Sequence, residues 1–191
     1  DIIHFGSATR FLDGELKNTY FKLLEHAKTN NIYVSFDPNY RDALIKDDML
    51  DQFVSDCIEF LKVTDFTKLS DEELTLITKE KDLDAGVKKL HELGVKVVTI
   101  TLGSKGTYLS VNGENVIIPS IKITQVDSTG AGDSFVGAVL KQVAEIEDKK
   151  NISMEEWKKI ITFANKVGAI TCTNYGAIDS MPTLEEVKDI K

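Results

Sequence analysis

The chain has 191 residues, of which 42% are hydrophobic, and 23 basic against 31 acidic residues give it a net charge of −8. It has no long basic run, which argues against nucleic-acid binding, and no apolar run long enough to span a bilayer. Its three His and two Cys residues lack zinc-ligand spacing, which argues against a zinc site. The composition therefore predicts a soluble cytoplasmic protein, one domain in size, with reduced thiols and a substantial core.

The first part of the chain follows a strand, helix, strand pattern. Residues 2–5 form a short apolar run that predicts a buried parallel strand, and residues 32–36 predict a second strand. Residues 13–28 between them predict a helix with Asp13 as its N-cap. The apolar residues at helical spacing are Leu16, Tyr20, Leu23, Leu24 and Ala27. Short joins between such elements are typical of a βαβ unit.

Residues 37–41 follow the second strand at its carboxyl end, where open α/β sheets place their ligands. Arg41 is a fixed cation suited to phosphate oxygens, and Asn39 is a candidate for contact with a substrate. A proline turn with a solvated arginine would explain the same residues without a ligand. Asp37 is expected to anchor the loop.

The next elements alternate in the same way. Apolar spacing predicts a helix over residues 47–61, and a weaker strand pattern covers residues 63–69. Ser70 with Glu73 three positions later predicts a capping box at the start of another helix. Residues 84–93 predict the helix that follows.

A strand and a hairpin come next. Residues 95–101 are almost all β-branched and give the clearest strand pattern in the chain. Asn112 and Gly113 predict a tight hairpin turn, after which residues 116–118 pair back. This segment predicts an antiparallel edge on an otherwise parallel sheet.

A glycine-rich turn at residues 127–133 leads into apolar residues at helical spacing, which predicts a turn opening a buried helix. Gly130 and Gly132 would let a phosphate approach the free N–H groups of the helix start. A carboxylate at Asp133 could accept the proton of an attacking hydroxyl group. The alternative is an ordinary N-terminal turn in which Asp133 serves the helix dipole. Neither the P-loop nor the dinucleotide fingerprint matches this turn.

The remaining sequence predicts a helix over residues 130–145, a capped helix over residues 153–173, and a short last helix from residue 182. Asn165 lies on the long helix. A loop at residues 176–180 separates the last two helices.

The string Asp-x-Thr-Gly-Ala-Gly-Asp-x-Phe at residues 127–135 resembles the carboxy-terminal signature of the ribokinase-like sugar kinases, the phosphofructokinase-B family. Residues 36–41, 68–74, 101–106 and 176–183 resemble that family in the same order, and its fructokinase branch in particular. The resemblance implies a three-layer αβα, Rossmann-like fold with a mainly parallel sheet and an antiparallel edge. It also implies ATP-dependent phosphorylation of a sugar hydroxymethyl group, with fructose as the expected sugar and with ATP and Mg²⁺ as cofactors, and K⁺ as a candidate third.

The resemblance assigns roles to the residues of the turn and of the earlier loops. Asp133 corresponds to the general base. The Gly-Ala-Gly-Asp turn, which begins at Gly130, forms the anion hole with the backbone N–H groups of Ala131, Gly132 and Asp133. Glu73 corresponds to the carboxylate that holds Mg²⁺ through water, although Ser70 stands where the family usually has Asn. Asn39 and Arg41 would face the substrate or its phosphate.

Two further groups of residues match positions around the nucleotide. The nucleotide-binding positions are Thr101, Gly103, Gly106, Asn165, Gly176 and Ala177. The positions of a monovalent-cation site are Asp127, Thr129, Gly176 and Ser180. A core-edge amide would explain Asn165 equally well.

The resemblance covers essentially the whole chain but begins in the middle of the family's fold. Residues 1–191 are therefore expected to be the carboxy-terminal, nucleotide-binding portion of a kinase, without the amino-terminal sugar-binding strands and lid. An uncovered sheet edge would favour self-association, and a homodimer is one arrangement of the complete enzyme. The alternatives are a kinase for ribose, a nucleoside or a keto-deoxy sugar acid, and a non-catalytic nucleotide-binding fragment.

Overall fold

The computed structural model describes residues 1–6, 8–12 and 14–189. The chain divides into two compact units, one comprising Asp1–Ile100 with Ser110–Glu114 and the other Thr101–Leu109 with Asn115–Lys191. The described strands are β1 Ile2–Phe5, β2 Tyr33–Phe36, β3 Phe66–Ser70, β4 Val97–Thr101, β5 Thr107–Val111 and β6 Glu114–Ile118. The described helices are α1 Glu15–Thr29, α2 Leu50–Leu61, α3 Asp71–Thr78, α4 Leu83–Leu93, α5 Ala131–Glu145, α6 Met154–Thr171 and α7 Leu184–Asp189.

The strands form a mixed sheet in the order β1-β2-β3-β4-β5-β6. β1 pairs in parallel with β2, and β2 pairs in parallel with β3. β4 is parallel to β3. Val97 N donates to Asp65 O and Thr99 Oγ1 donates to Thr67 O, so residue numbers rise in the same direction along both strands. Helices join the successive parallel strands, and the predicted mainly parallel sheet is confirmed.

The antiparallel edge is also confirmed. β5 runs back along β4, because Leu102 N donates to Gly106 O beside the turn and Asn112 N donates to Lys96 O at the other end. Asn112 and Gly113 form the turn to β6 with φ values of 50° and 89°. A two-residue hairpin turn needs this left-handed pair, which Asn-Gly adopts readily.

An aromatic cluster fills the core of the first unit. Phe60 of α2 is fully buried and contacts the rings of Phe5 and Phe11 at centroid distances of 5.1 and 5.2 Å. It also stacks on Phe36 at 5.4 Å. Burial of these large apolar surfaces fixes the carboxyl ends of β1 and β2, from which the loop at residues 37–41 emerges.

β1 is less buried than the sequence predicts, and the apolar face of α1 is only partly buried. Phe5 is the buried residue of β1, whose other residues are more exposed because this strand lies at the end of the strand order. In α1, Leu24 is buried, whereas Leu16 and Leu23 are 45% and 40% exposed. Asp13, the predicted N-cap of α1, lies outside the described residues.

Most of the other predicted boundaries agree with the structure to within a few residues. The capping box of Ser70 and Glu73 at the start of α3 is confirmed. β3 begins at Phe66, later than expected, because residues 62–64 complete the last turn of α2, where Thr64 Oγ1 donates to Phe60 O at 2.8 Å. In the described part of the chain, no helix combines the length and apolar character needed to cross a membrane.

Candidate active site

The glycine-rich turn opens α5 in the second unit, as the sequence predicts. Gly130 precedes the helix with a φ of 79°, a left-handed value that favours glycine. A Cβ at Gly130 would lie 2.9 Å from the Cβ of Ala177. The structure therefore brings the glycine-rich turn against the loop at residues 176–180, two motifs that are far apart in the sequence.

The first turn of α5 presents backbone donors beside an exposed carboxylate. Within the described residues, no intrachain hydrogen bond occupies the N–H of Gly132 or Asp133. Ala131, which the resemblance placed in the anion hole, instead donates its N–H to Ser128 O at 3.2 Å. Two N–H groups and the positive end of the helix dipole are thus available to an anion, with the exposed Asp133 side chain next to them.

The Asp127 carboxylate connects the two motifs. Its Oδ1 accepts hydrogen bonds from Thr129 N at 3.0 Å and from Thr129 Oγ1 at 2.7 Å, while its Oδ2 accepts one from Gly176 N at 3.1 Å. The hydrogen bonds from Thr129, followed by the one from Gly176, lower the pKa of Asp127 from its ordinary value. Asp127 therefore remains ionised at neutral pH and holds the start of the loop at residues 176–180.

Ser180 closes that loop from its other end. Its hydroxyl group is buried and donates to Gly176 O and to Ala177 O, the latter at 2.9 Å. The four predicted cation-site residues are thereby linked to one another by hydrogen bonds. Their carboxylate, hydroxyl and carbonyl oxygens are of the hard type that an alkali cation takes as ligands.

The turn between β4 and β5 holds three predicted nucleotide positions, Thr101, Gly103 and Gly106. Gly103 has a φ of 57° and open space around its Cα, as expected where a ligand approaches the backbone. Gly106 is different, because it has a φ of 98° and a Cβ there would overlap Ile118 O and lie 2.7 Å from Ser120 N. Packing alone is enough to require glycine at residue 106.

The structure gives Asn165 of α6 an internal role. It is 7% exposed, and its Oδ1 accepts a hydrogen bond from Thr107 Oγ1 at 2.6 Å. Its Nδ2 donates to Ile118 O at 3.0 Å and to Pro119 O at 3.3 Å. The side chain thus holds the β5–β6 hairpin on α6, which is the core-edge alternative raised from the sequence.

In the first unit, Asn39 and Arg41 lie on the loop after β2. Asn39 has a φ of 47°, and its N–H donates to Asp37 Oδ1 at 2.9 Å. Arg41 is exposed, and its guanidinium donates to Tyr40 O at 3.2 Å. Asp37 is 3% exposed and anchors the loop, as the sequence predicts.

Glu73 binds this same loop as well as its own helix. Its Oε2 accepts from Ser70 N at 2.7 Å within the capping box, and its Oε1 accepts from Tyr40 N at 2.7 Å. The side chain is 5% exposed. Because both oxygens already accept an N–H group, Glu73 fits Mg²⁺ through an intervening water rather than as a direct ligand.

Sequence reasoning missed the residues of α6 that support the glycine-rich turn. A Cβ at Gly168 would lie 3.2 Å from Ala131 O, so glycine lets α6 approach the start of α5. Thr171 Oγ1 donates to Ser134 Oγ at 3.0 Å, and that hydroxyl group donates in turn to Ala131 O. A glycine inside a long helical pattern was the signal that could have revealed this contact.

The family model for the pfkB family carbohydrate kinases matches residues 1–184 of this chain. The chain belongs to this family. Fructokinase-1 of Zea mays is 35% identical over 192 residues, which cover 97% of this pfkB chain and 57% of the maize protein. Putative fructokinase-8 of Arabidopsis thaliana is 32% identical over 184 residues, which cover 95% of this chain and 85% of the relative.

Structural comparison agrees with this assignment. A double mutant of fructokinase from Vibrio cholerae O395, in fructose, ADP and potassium ion bound form, superposes with a TM-score of 0.90 at 25% identity. The match covers 98% of this pfkB chain and 59% of the fructokinase structure. The predicted ribokinase-like αβα fold is therefore confirmed. The chain spans less than two thirds of the length of the maize protein and of the Vibrio structure.

The lowered pKa of Asp127 predicts a pH-dependent contact in this pfkB chain. A carboxyl group whose pKa is depressed on folding contributes stability above its unfolded pKa and loses it as the pH falls through the folded pKa. We expect the Gly176 amide resonance to shift as the pH falls, with the midpoint of the shift below the ordinary aspartate value of 3.8. Asp127→Asn should abolish that acid transition, and an unchanged transition in this variant would contradict the assignment.

Proposed function

We propose that this pfkB chain carries the nucleotide-binding and catalytic residues of an ATP-dependent sugar kinase that phosphorylates a hydroxymethyl group, with fructose as the sugar. The start of α5 carries the proposal, because the exposed Asp133 carboxylate shares one helical turn with two N–H groups that have no hydrogen-bond partner in the part of the chain that the structure describes. A site that only bound phosphate would gain nothing from a carboxylate beside it. A group that accepts a proton next to an anion hole is what phosphoryl transfer to an alcohol requires.

Each group in this turn has a defined task. The sugar hydroxyl group gives its proton to Asp133 while its oxygen bonds to the terminal phosphorus of ATP. The bond between that phosphorus and the bridging oxygen breaks, and ADP leaves with the electron pair. The N–H groups of Gly132 and Asp133 stabilise the charge on the transferred phosphoryl group, and the glycines at residues 130 and 132 keep side chains away from it.

The loops around this turn would bind the nucleotide. We assign that role to Thr101, Gly103, Gly176 and Ala177, whereas Gly106 and Asn165 act by shaping the backbone that borders the site. Asp127, Thr129, Gly176 and Ser180 would hold a monovalent cation near the carbonyl groups of the same loop. The potassium ion in the Vibrio cholerae fructokinase structure supports this assignment.

The first unit carries its own candidate ligand-binding residues. Asn39 is suited to hydrogen bonds with sugar hydroxyl groups, and the exposed Arg41 is suited to phosphate oxygens. Glu73 would bind Mg²⁺ through water. When bound, Mg²⁺ would neutralise phosphate charge. Fructose as the sugar is supported by the fructokinase relatives and by the fructose in the Vibrio cholerae structure.

A non-catalytic nucleotide-binding module is the second candidate, because the N–H groups of Gly132 and Asp133, with the loop at residues 176–180 packed on the same turn, would hold a nucleotide without any phosphoryl transfer. Calorimetric titration with a non-hydrolysable ATP analogue, in the presence of Mg²⁺ and K⁺, tests the nucleotide site common to both candidates. Production of ADP from ATP with fructose, ribose, a nucleoside or a keto-deoxy sugar acid then separates them. The proposal expects saturable binding and turnover that is fastest with fructose. Binding without turnover would favour the module, and absence of binding would contradict both.

A further inference from the structure

Lys68 is a charged residue within the buried strand β3, and the catalytic assignments above leave it without a role. It is 8% exposed, and its Nζ lies 3.2 Å from Asp37 Oδ2. The sheet register explains the pairing, because β2 and β3 are parallel and Phe36 lies opposite Thr67. Asp37, which directly follows β2, therefore lies beside Lys68 of β3 at the carboxyl edge of the sheet.

The Asp37 carboxylate also hydrogen-bonds to the loop at residues 37–41. Its second oxygen, Oδ1, accepts the N–H of Asn39, which has the left-handed φ of 47°. Asn adopts this conformation more readily than other residues with a Cβ, and the hydrogen bond to Asp37 stabilises it here. The Asn39 side chain also donates to Gly6 O at 3.3 Å. Lys68, Asp37 and Asn39 thus form one chain of contacts that ends at a proposed substrate-binding residue.

Glu73 provides a second, independent attachment one residue later. Tyr40 N donates to Glu73 Oε1, so the consecutive N–H groups of Asn39 and Tyr40 are both held by buried carboxylates. The Tyr40 ring packs on Phe53 with a centroid distance of 5.4 Å. Arg41 follows directly and is exposed. Contacts from Lys68 in β3 and Glu73 in α3 therefore fix the backbone conformation of the loop that carries Asn39 and Arg41.

Stability alone is a weak reason for a charged residue at this position. The cost of removing two charges from water offsets most of their attraction, and well-packed apolar residues are often as stable as a buried ion pair. A lysine that fixes the direction of one carboxylate does something that an apolar residue cannot do. Removing it would take the cation from the buried Asp37 carboxylate, so Oδ1 would be held less firmly towards Asn39 N–H.

We propose that Lys68 is a positioning residue, which fixes the Asp37 carboxylate and thereby holds Asn39 and Arg41 in the conformation that binds the sugar or its phosphate. The identity of the ligand rests on the proposed function, whereas the contacts from Lys68 to Asn39 do not. In the proposed reaction, the proton is accepted by Asp133 and by no residue of this loop. Loss of Lys68 should therefore weaken sugar binding more than it lowers turnover.

The test combines amide exchange with kinetics in the variants Lys68→Met and Lys68→Arg. In Lys68→Met, the Asn39 amide should exchange about tenfold faster or more, with Thr99 in β4 unchanged. The KM for fructose should rise about tenfold while kcat changes much less. Lys68→Arg keeps the cation and should restore both values. Lys62→Met, which removes a half-exposed surface ion pair with Glu59, is the control and should change neither.

Each outcome decides the proposal. Unchanged Asn39 exchange in a folded Lys68→Met protein would overturn it, and so would faster exchange with an unchanged KM for fructose. If Lys68→Met does not fold, Asp37→Asn combined with Lys68→Met removes both charges of the pair together, and the same increases are expected there. If the wild type phosphorylates no sugar, the proposed function fails, and exchange at Asn39 by itself decides whether Lys68 positions the loop.

Discussion

Replacement of Asp133 by Asn is expected to lower turnover with ATP and fructose by about 10²- to 10⁴-fold. The amide has nearly the same size as the carboxylate but cannot accept the proton of the sugar hydroxyl group. Affinity for a non-hydrolysable ATP analogue should be kept or slightly improved, because the N–H groups of Gly132 and Asp133 belong to the backbone and a negative charge beside the phosphate is removed. A coupled assay for ADP gives kcat, and calorimetry gives the dissociation constant.

Asp84→Asn is the matched control for this variant. Asp84 also lies exposed in the first turn of a helix, α4, so its replacement removes a comparable interaction with a helix dipole. If Asp133 served only the helix dipole, the two variants would behave alike, with a small loss of stability and no loss of turnover. Asp133→Asn enzyme that retained more than a tenth of wild-type kcat would show that another group takes the proton.

Gly106→Ala is expected to lower the free energy of unfolding by roughly 2–5 kcal/mol, the sum of a left-handed backbone penalty and overpacking. The added methyl group would overlap Ile118 O and approach Ser120 N, both of them backbone atoms that cannot turn aside as a side chain would. The β5–β6 hairpin would have to move away from the turn at residues 103–105. Urea denaturation followed by far-UV circular dichroism measures the change.

Gly113→Ala separates the two contributions. Gly113 has a similar left-handed φ of 89°, but a Cβ there meets nothing within 4 Å. Its replacement should therefore cost only the backbone penalty of about 1–2 kcal/mol. Equal losses in the two variants would mean that the close packing of Gly106 against residues 118–120 does not exist in solution.

Elements defined by short-range signals were predicted well. The capping box of Ser70 and Glu73 begins α3, Asn112 and Gly113 form the hairpin turn, and Gly130 precedes α5 at the expected residue. Each signal acts between residues a few positions apart. A hydrogen bond to a helix N-terminus or a left-handed φ is therefore readable from the sequence alone.

Properties that depend on distant residues were predicted less well. Leu16 and Leu23 lie at helical spacing, yet both are substantially exposed, because periodicity shows that a helix has an apolar face but not whether anything packs on it. Asn165 matched a nucleotide-binding position, but its amide is hydrogen-bonded to Thr107 and to the backbone of residues 118–119. Gly106 stood in a predicted ligand loop, and packing against the neighbouring backbone already explains it.

The sequence by itself determined the order and kind of the elements, the family, and Asp133 as the candidate general base, because caps, turns and motifs are local patterns. The tertiary structure alone decided which distant groups meet, since strand register and helix packing bring them together. It placed Lys68 beside Asp37, Glu73 on Tyr40 N, and Asp127 on Gly176 N. Those contacts, rather than the motifs themselves, set the conformation in which the proposed site residues are held.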